Sequence, residues 1–357
     1  MPDWSQPHKL LTPLFRAPFR PPSVPTYHFA PRRDTANREL DIREPGDDYG
    51  NDGGSQTGGI WPLPIFGPAP DSAKLPSQAH RWARERYLRT LAERLNGVPG
   101  DPTASHIPDT LSEDERGMLG RALSLFQQAA PRMGRQLLTA MLPAIANPEC
   151  EAYLRLQIER KRREQDQLRD LATHLRMAPD TAETEAALVW AEAFIDALPP
   201  GTTRVESPRD KQRVLRALCV YYLIEEGLIL HTALPMVLGL GRRDKLPGVD
   251  GVFRAMARHN AEFGAFGIDL INQIRIENPD LWNAPFQHEA GTLLRNAVEL
   301  QTRYFYACLP RGILGLNAPM LEAYLRLTAN RRAIQIGLPL PFGHESNPFP
   351  WMADISD

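Results

Sequence analysis

The stretch Leu218–Leu240, with the sequence LCVYYLIEEGLILHTALPMVLGL, is apolar on almost every side of a helix. A helix that is apolar all round is typical of the buried centre of a helical protein. Glu225, Glu226 and His231 interrupt the run near its middle, which argues against membrane insertion although the run is long enough. An unpaired buried carboxylate costs several kcal/mol or takes up a proton, so the sequence predicts a partner for Glu226.

Composition narrows the class of protein. The chain has 357 residues and a formal net charge of -2. A net charge this close to zero does not favour binding to nucleic acid. Cys150, Cys219 and Cys308 stand far apart in the sequence, so they predict neither a disulfide framework nor a zinc site. These features favour a reduced, cytoplasmic compartment.

The chain divides into three regions by composition. Residues 1–75 are rich in proline and glycine, which predicts an extended or disordered N-terminal arm. Residues 76–340 are predicted to form a helical domain, and residues 341–357 a short C-terminal extension. Apolar side chains near the end of the arm are expected to lie on the body of the protein or on a partner: Trp61, Leu63, Ile65 and Phe66.

The helical domain carries apolar residues at steps of three and four, and no stretch of it alternates with the period of a β-strand. We therefore predict an all-α fold, a bundle of long helices. The segment after Asn147 is the most informative, because Lys161 and Glu164 lie one turn apart on its inward-facing stripe. That stripe consists of Leu154, Gln157, Ile158, Lys161, Glu164, Leu168, Leu171 and Leu175.

Five segments of the helical domain carry a family resemblance. They are LSEDERGMLGRALSLF (111–126), LQIERKRRE (156–164), IEEGLIL (224–230), LPGVDGVFRAMARHN (246–260) and the region from NAVELQ (296–301) to NPFPWM (347–352). Together they resemble the small, radical-generating subunit of ribonucleotide reductase, which folds as a ferritin-like helical bundle. The resemblance extends from about Ser77 to the C-terminus and implies that fold for the helical domain.

That family holds two metal ions in the bundle core with six side chains: an Asp or Glu, a Glu-x-x-His, a Glu and a second Glu-x-x-His. The resemblance aligns these ligands in order with Ala130, then Lys161 and Glu164, then Glu226, then Asn260 and Phe263. Leu168 stands where the family has its radical tyrosine. Glu226 is therefore the one family ligand that this chain retains.

The resemblance thus implies a degenerate site. The ammonium of Lys161 supplies positive charge where a metal ion would be, so we expect a buried polar cluster of Lys161, Glu164, Glu226 and Asn260 that binds no metal and no other cofactor. Metal-free members of the family carry a lysine at the metal site and convert their tyrosine to a stable radical. This chain has Leu168 at the position of that tyrosine, so it differs from the metal-free members as well.

Other interpretations of the polar residues stay open. A rebuilt metal or substrate site would draw on Glu164, Glu225, Glu226, His231, His259 and Glu262. One site using all six is geometrically poor, because His231 lies about 140° around the helix from Glu226; a mononuclear site is left open. Tyr221 and Tyr222 are candidates for redox chemistry, although core packing is the commoner role of such residues.

The sequence therefore predicts a non-catalytic relative of the reductase small subunit that acts as a structural or regulatory partner in a protein complex. The expected partner is a second copy, an authentic small subunit in a heterodimer, or a larger assembly bound through the arm, rather than nucleic acid. The alternative is a divergent β subunit, or a ferritin-like oxidoreductase with a reorganised metal site or a metal-free radical site. Enzymatic activity stays open, and the degenerate site argues against it.

Overall fold

The computed structural model describes most of the predicted helical domain. The described residues are 64–66, 81–96, 111–176, 185–195, 205, 207–246 and 248–353. They belong to one compact unit that spans residues 59–357. Most of the predicted arm lies outside the described residues.

All regular secondary structure in the described residues is helical, which confirms the predicted all-α class. The α-helices are α1 (Arg81–Asn96), α2 (Glu113–Gln136), α3 (Pro148–Leu175), α4 (Glu185–Ile195), α5 (Pro208–Leu218), α6 (His231–Gly241), α7 (Val249–Glu277), α8 (Ala284–Cys308) and α9 (Ala318–Gln335). Between α8 and α9, an isolated bridge pairs Ile313 with Leu316.

Polar caps fix where α2 and α3 begin. The Ser112 hydroxyl accepts a hydrogen bond from the Glu115 amide at 3.2 Å, and the Glu115 carboxylate accepts one from the Ser112 amide at 2.9 Å. The side chain of Asn147 caps α3 directly ahead of Pro148. These caps satisfy N–H groups that the start of a helix leaves without partners.

The apolar run of the sequence is the central helix of the bundle. Helix α5 continues into Cys219–Leu230, whose hydrogen bonds follow the wider π-helical pattern, and then into α6. All residues of this π segment are buried. The continuous helix Pro208–Gly241 is long and apolar enough to cross a membrane, but 94% of its apolar window is buried inside the protein, as in the core helix of a bundle.

The described end of the arm region is attached to the helical body. Ile65 is fully buried; its amide donates to Glu277 Oε2 at 2.9 Å, and its carbonyl accepts from the Ala146 amide at 2.8 Å. The ring of Phe66 packs against the core beneath the ammonium of Lys211. The other two apolar residues expected to lie there, at positions 61 and 63, are outside the described residues.

Helix α7 approaches the π segment closely at one glycine. A Cβ at Gly267 would overlap the ring of Tyr222. Gly264, one turn earlier on the same helix, has no neighbouring atom within 4 Å of the place that its Cβ would take. The contact at Gly267 therefore sets the distance between α7 and the π segment.

Gly267→Ala is expected to lower the free energy of unfolding by ~1–3 kcal/mol, because the added methyl group must displace a packed ring. Gly264→Ala is the matched control; it is expected to be neutral or to stabilise the protein by ~0.5–1 kcal/mol. Urea denaturation of both variants measures the difference. Equal stability of the two variants would contradict the close packing of α7 on Tyr222.

Candidate functional site

Lys161 lies at the centre of a buried polar cluster to which three helical segments contribute. Its Nζ is 2.7 Å from Glu226 Oε1 on the π segment, 3.1 Å from Glu164 Oε2 on α3 and 3.2 Å from Asn260 Oδ1 on α7. An ammonium carries three N–H donors, so three surrounding oxygens match its capacity. The charged side chains of this cluster are at most 2% exposed, which shields them from solvent.

Burial and the two carboxylates act in opposite directions on Lys161. Burial lowers the pKa of Lys161, but Glu164 and Glu226 together outweigh it and hold that pKa above its usual value. Burial raises the pKa of Glu226, and Lys161 offsets only part of that rise. The lysine is therefore charged at neutral pH, and two carboxylates share one ammonium.

Arg332 of α9 brings a second cation towards Glu226. Burial has the largest effect on the pKa of Glu226 and raises it. The guanidinium of Arg332 is among the charged groups that lower this pKa. Gly227 makes room for it, because a Cβ there would lie 2.7 Å from Arg332 Nε and 2.8 Å from the Tyr222 carbonyl oxygen. Sequence reasoning missed Arg332; the glycine directly after Glu226 was the available signal of a close approach.

The positions that the resemblance assigns to lost groups are apolar and buried. Ala130 on α2 is 4% exposed, and Phe263 on α7 and Leu168 on α3 are each 1% exposed. The ring centroid of Phe263 lies 5.9 Å from Lys161 Nζ, so an aromatic ring borders the ammonium. Leu168 supplies no phenol for radical chemistry.

The two candidate histidines lie apart from the cluster. His231 Nε2 pairs with the Tyr324 hydroxyl at 2.8 Å, and burial lowers the pKa of His231 to about 3. The imidazole of His259 lies against the guanidinium of Arg160, and burial likewise lowers the pKa of His259 to about 3. Both imidazoles are therefore neutral at physiological pH.

The two remaining candidate acids also have partners of their own. Glu262 forms an ion pair with Arg89 at 3.4 Å, and Glu225 Oε1 accepts from Gln136 Nε2 at 3.2 Å. The structure thus brings Glu164 and Glu226 together but does not assemble all six candidates into one site.

A neutral hydrogen bond forms a second polar layer beside the ion pairs. The Tyr222 hydroxyl donates to Gln157 Oε1 at 2.7 Å, and the Tyr221 ring packs on Tyr222 with centroids 4.8 Å apart. Gln157 lies four residues before Lys161 on α3, and Tyr222 lies four residues before Glu226 on the π segment. The two polar layers therefore connect the same two helices, one turn apart. The inward stripe placed Gln157 correctly, but the sequence gave no sign of its partner.

The cluster does not fit a two-metal centre. Lys161, at a position that the resemblance assigns to a ligand, already pairs with Glu164 and Glu226. Ala130 and Phe263, at two other such positions, offer no ligand atom. Within the described ranges, no three side chains from His, Cys, Asp and Glu are grouped so that they can hold a metal ion.

Four buried atoms of the cluster have no hydrogen-bond partner of standard geometry among the described residues. They are Glu164 Oε1, Asn260 Nδ2 and both carboxylate oxygens of Glu226, of which Oε1 meets Lys161 as an ion pair. An unmade hydrogen bond to a buried polar atom costs ~1–3 kcal/mol. The cluster therefore keeps hydrogen-bonding capacity beyond what its own side chains use.

The long buried central helix, the surrounding helices and the polar core define the class of a ferritin-like helical bundle. The sequence profile of the family described as "Ribonucleotide reductase, small chain" matches residues 105–348, more than half of the chain. The protein therefore belongs to the ribonucleotide reductase small-chain family, which confirms the predicted resemblance and fold.

Individual relatives agree with this assignment. The "Ribonucleoside-diphosphate reductase subunit beta" of Chlamydia pneumoniae is 34% identical over 292 residues, covering 78% of this chain and 83% of that protein. The ribonucleotide reductase R2 subunit from Clostridium botulinum gives a TM-score of 0.66 at 17% identity, covering 82% of this chain and 94% of that chain. The structure of the ribonucleotide reductase Rnr4 homodimer from Saccharomyces cerevisiae gives a TM-score of 0.60 at 15% identity, covering 78% of this chain and 88% of that chain. At these identities the two structures show the fold alone.

Lys161→Met is expected to lower the free energy of unfolding by ~3–5 kcal/mol, because it leaves Glu164 and Glu226 buried without their cation. The exposed ion pair of Arg169 and Asp166 provides the matched control, and Arg169→Met is expected to cost at most ~1 kcal/mol. Urea denaturation at neutral pH measures both values.

The deficit of Lys161→Met is also expected to grow as the pH rises from about 5 to about 8. Burial already raises the pKa of Glu226, and loss of the ammonium raises it further. The folded variant then holds a proton that the unfolded chain releases, so its stability falls with rising pH. A deficit that is small and independent of pH would be inconsistent with a buried ion-pair cluster.

Proposed function

We propose that this protein is a non-catalytic member of the ribonucleotide reductase small-chain family that acts by association in the cytoplasm. The observation that carries the proposal is the Lys161 ammonium within 3.2 Å of oxygens of Glu164, Glu226 and Asn260. A metal ion at that place would compete with a fixed positive charge for the same two carboxylates. The site is then an ion pair that fills the core, without metal or other cofactor.

The proposed role of the cluster is structural. A buried ion pair adds little net stability against apolar side chains of similar volume, but loss of one partner is costly. The geometry that satisfies Lys161 requires α3, the π segment and α7 to hold one relative position. The cluster therefore preserves the bundle and the surfaces that its helices present.

Association with another protein chain is the activity that we assign to this bundle. The structure of the related Rnr4 chain is that of a homodimer, which supports a second copy of this chain, or an authentic small subunit, as the partner. The predicted arm, residues 1–75, is the proposed contact with a larger assembly. Ile65, within its described part, is hydrogen-bonded to the helical body.

A divergent β subunit or a ferritin-like oxidoreductase with a reorganised site is the second candidate. The unpartnered atoms of Glu164, Glu226 and Asn260 favour it, because they leave capacity for a further ligand. The name of the Chlamydia pneumoniae relative also agrees with it. Metal binding would require Lys161 to release its carboxylates, and the raised pKa of Lys161 opposes the loss of its proton.

Protein expressed with added iron and manganese is expected to contain neither metal in stoichiometric amount and to give no radical signal. Mass spectrometry for metals and EPR on the same purified sample provide the measurement. Light scattering on that sample is expected to show a dimer or a larger assembly, since the proposed function is association.

Glu226→Ala separates the two candidates. The non-catalytic proposal expects the metal content and EPR spectrum of this variant to equal those of the unaltered protein. One or two metals per chain, or a radical signal, that disappears in Glu226→Ala would instead establish a redox site. A clean monomer would contradict association with a second copy and leave a different protein chain as the proposed partner.

A further inference from the structure

Helix α4, with the sequence EAALVWAEAFI, presents apolar side chains to solvent. Its buried side carries Ala187, Leu188, Ala191 and Ile195. Its opposite side, at steps of three and four, carries Ala186, Val189, Trp190 and Ala193. Val189 is 49% exposed, both alanines are exposed, and Trp190 is half-buried. A helix that is apolar all round is typically covered all round, so this exposed side indicates a surface that another chain covers.

The neighbouring end of α2 extends this apolar surface. Arg135, at the end of α2, pairs with Glu192 of α4. Leu138 follows Arg135 by three residues and is 43% exposed, so a further aliphatic side chain lies beside α4. We call the combined surface the α4 face; it consists of Leu138, Ala186, Val189, Trp190 and Ala193.

A tryptophan near the middle of the α4 face provides an anchor for a partner. The Trp190 ring packs edge-on against Phe194 with centroids 5.2 Å apart, and both rings rest on the hydrophobic core. A ring held in this way loses little conformational freedom when a partner covers it. Tryptophan is also enriched among the residues that dominate the energy of protein–protein contacts. The α4 face therefore resembles the centre of an interface more than a solvated surface.

The symmetry of the α4 face fits a second copy of the same chain. Ala186 lies as far before the midpoint between Val189 and Trp190 as Ala193 lies after it. An antiparallel copy, related by a two-fold axis at this midpoint, places alanine opposite alanine and Val189 opposite Trp190. The alanines at both ends let the two helices approach closely, since the distance between packed helices depends on the side chains at the contact.

Charge does not oppose the contact of two identical α4 faces. Glu192 lies at the edge of the face and is 17% exposed. The guanidinium of Arg135 pairs with it, and Arg132 Nη1 lies 3.7 Å from its second oxygen. Like charges that face one another across an interface cost several kcal/mol. Here the acid at the edge is neutralised within its own chain, so two copies meet without facing carboxylates.

We propose that the α4 face is the contact between two copies of this chain, formed around a two-fold axis between Val189 and Trp190. The inference rests on the proposed function, association, and names the surface that performs it. Helix α4 packs against the π segment. The contact therefore lies directly outside the helix that carries Glu226, and the Lys161 cluster supports it from the core.

Val189→Asp tests the proposal by the strength of the dimer. Light scattering on the full-length protein over a range of concentrations is expected to show a dimer. Val189→Asp is expected to raise its dissociation constant at least about ten-fold, because the dimer then buries two carboxylates near each other. Ile276→Asp on α7 is the matched control; Ile276 is 68% exposed and lies off the α4 face, so no change is expected.

Disulfide cross-linking tests the position of the axis independently. All three native cysteines are buried, so a cysteine introduced at an exposed position is the reactive one. Val189→Cys is expected to give a covalent dimer on mild oxidation, because Val189 lies beside the axis and its two copies come within disulfide reach. Ile276→Cys, the matched control, is expected to stay without a covalent partner on a non-reducing gel.

The outcomes separate this contact from association in general. A covalent dimer of Val189→Cys, together with a weakened dimer of Val189→Asp, would support the α4 face as the contact. A dimer that Val189→Asp leaves unchanged, or that Ile276→Asp weakens instead, would overturn this contact but keep association as the proposed function. An unaltered protein that is monomeric at every concentration would overturn both this contact and association with a second copy.

Discussion

The ammonium of Lys161, placed among oxygens from three helical segments, is the interaction on which the core of this bundle depends. Within about 3 Å it meets Glu226, Glu164 and Asn260, so each helix is held relative to the other two. Two carboxylates and one ammonium leave the cluster short of positive charge, and Arg332 approaches from α9 to reduce that deficit. The place that the family resemblance assigns to a metal ligand thus holds the ammonium of Lys161.

Close packing around the π segment supports this arrangement. Gly227 of the π segment admits the Arg332 side chain of α9, and Gly267 of α7 admits the Tyr222 ring of the π segment, so the two glycines let α9 and α7 approach the central helix closely. Tyr222 then bonds to Gln157 one turn from the ion pair of Glu226 and Lys161. A π-helical stretch is uncommon, and such stretches frequently occur at functional sites; here it carries Glu226, which pairs with Lys161.

Much of this arrangement follows from the sequence alone. Helical periodicity placed Lys161 and Glu164 on one inward face, and the apolar run placed Glu226 at the centre, because these patterns depend only on the local helix. The partners Arg332 and Gln157 depend on how helices far apart in the sequence rotate and approach. Side-chain length and helix rotation decide those contacts, and neither is encoded in the spacing of one segment.

We propose that a charged lysine, rather than a metal ion, holds Glu164 and Glu226 together. Crystals grown with iron and manganese, with diffraction data collected at both absorption edges, test it most directly. We expect no anomalous peak beside Glu226, and we expect Lys161 Nζ to lie within hydrogen-bonding distance of Glu164, Glu226 and Asn260. An anomalous peak at about 2.0–2.2 Å from a Glu226 oxygen, with Lys161 turned away, would contradict it.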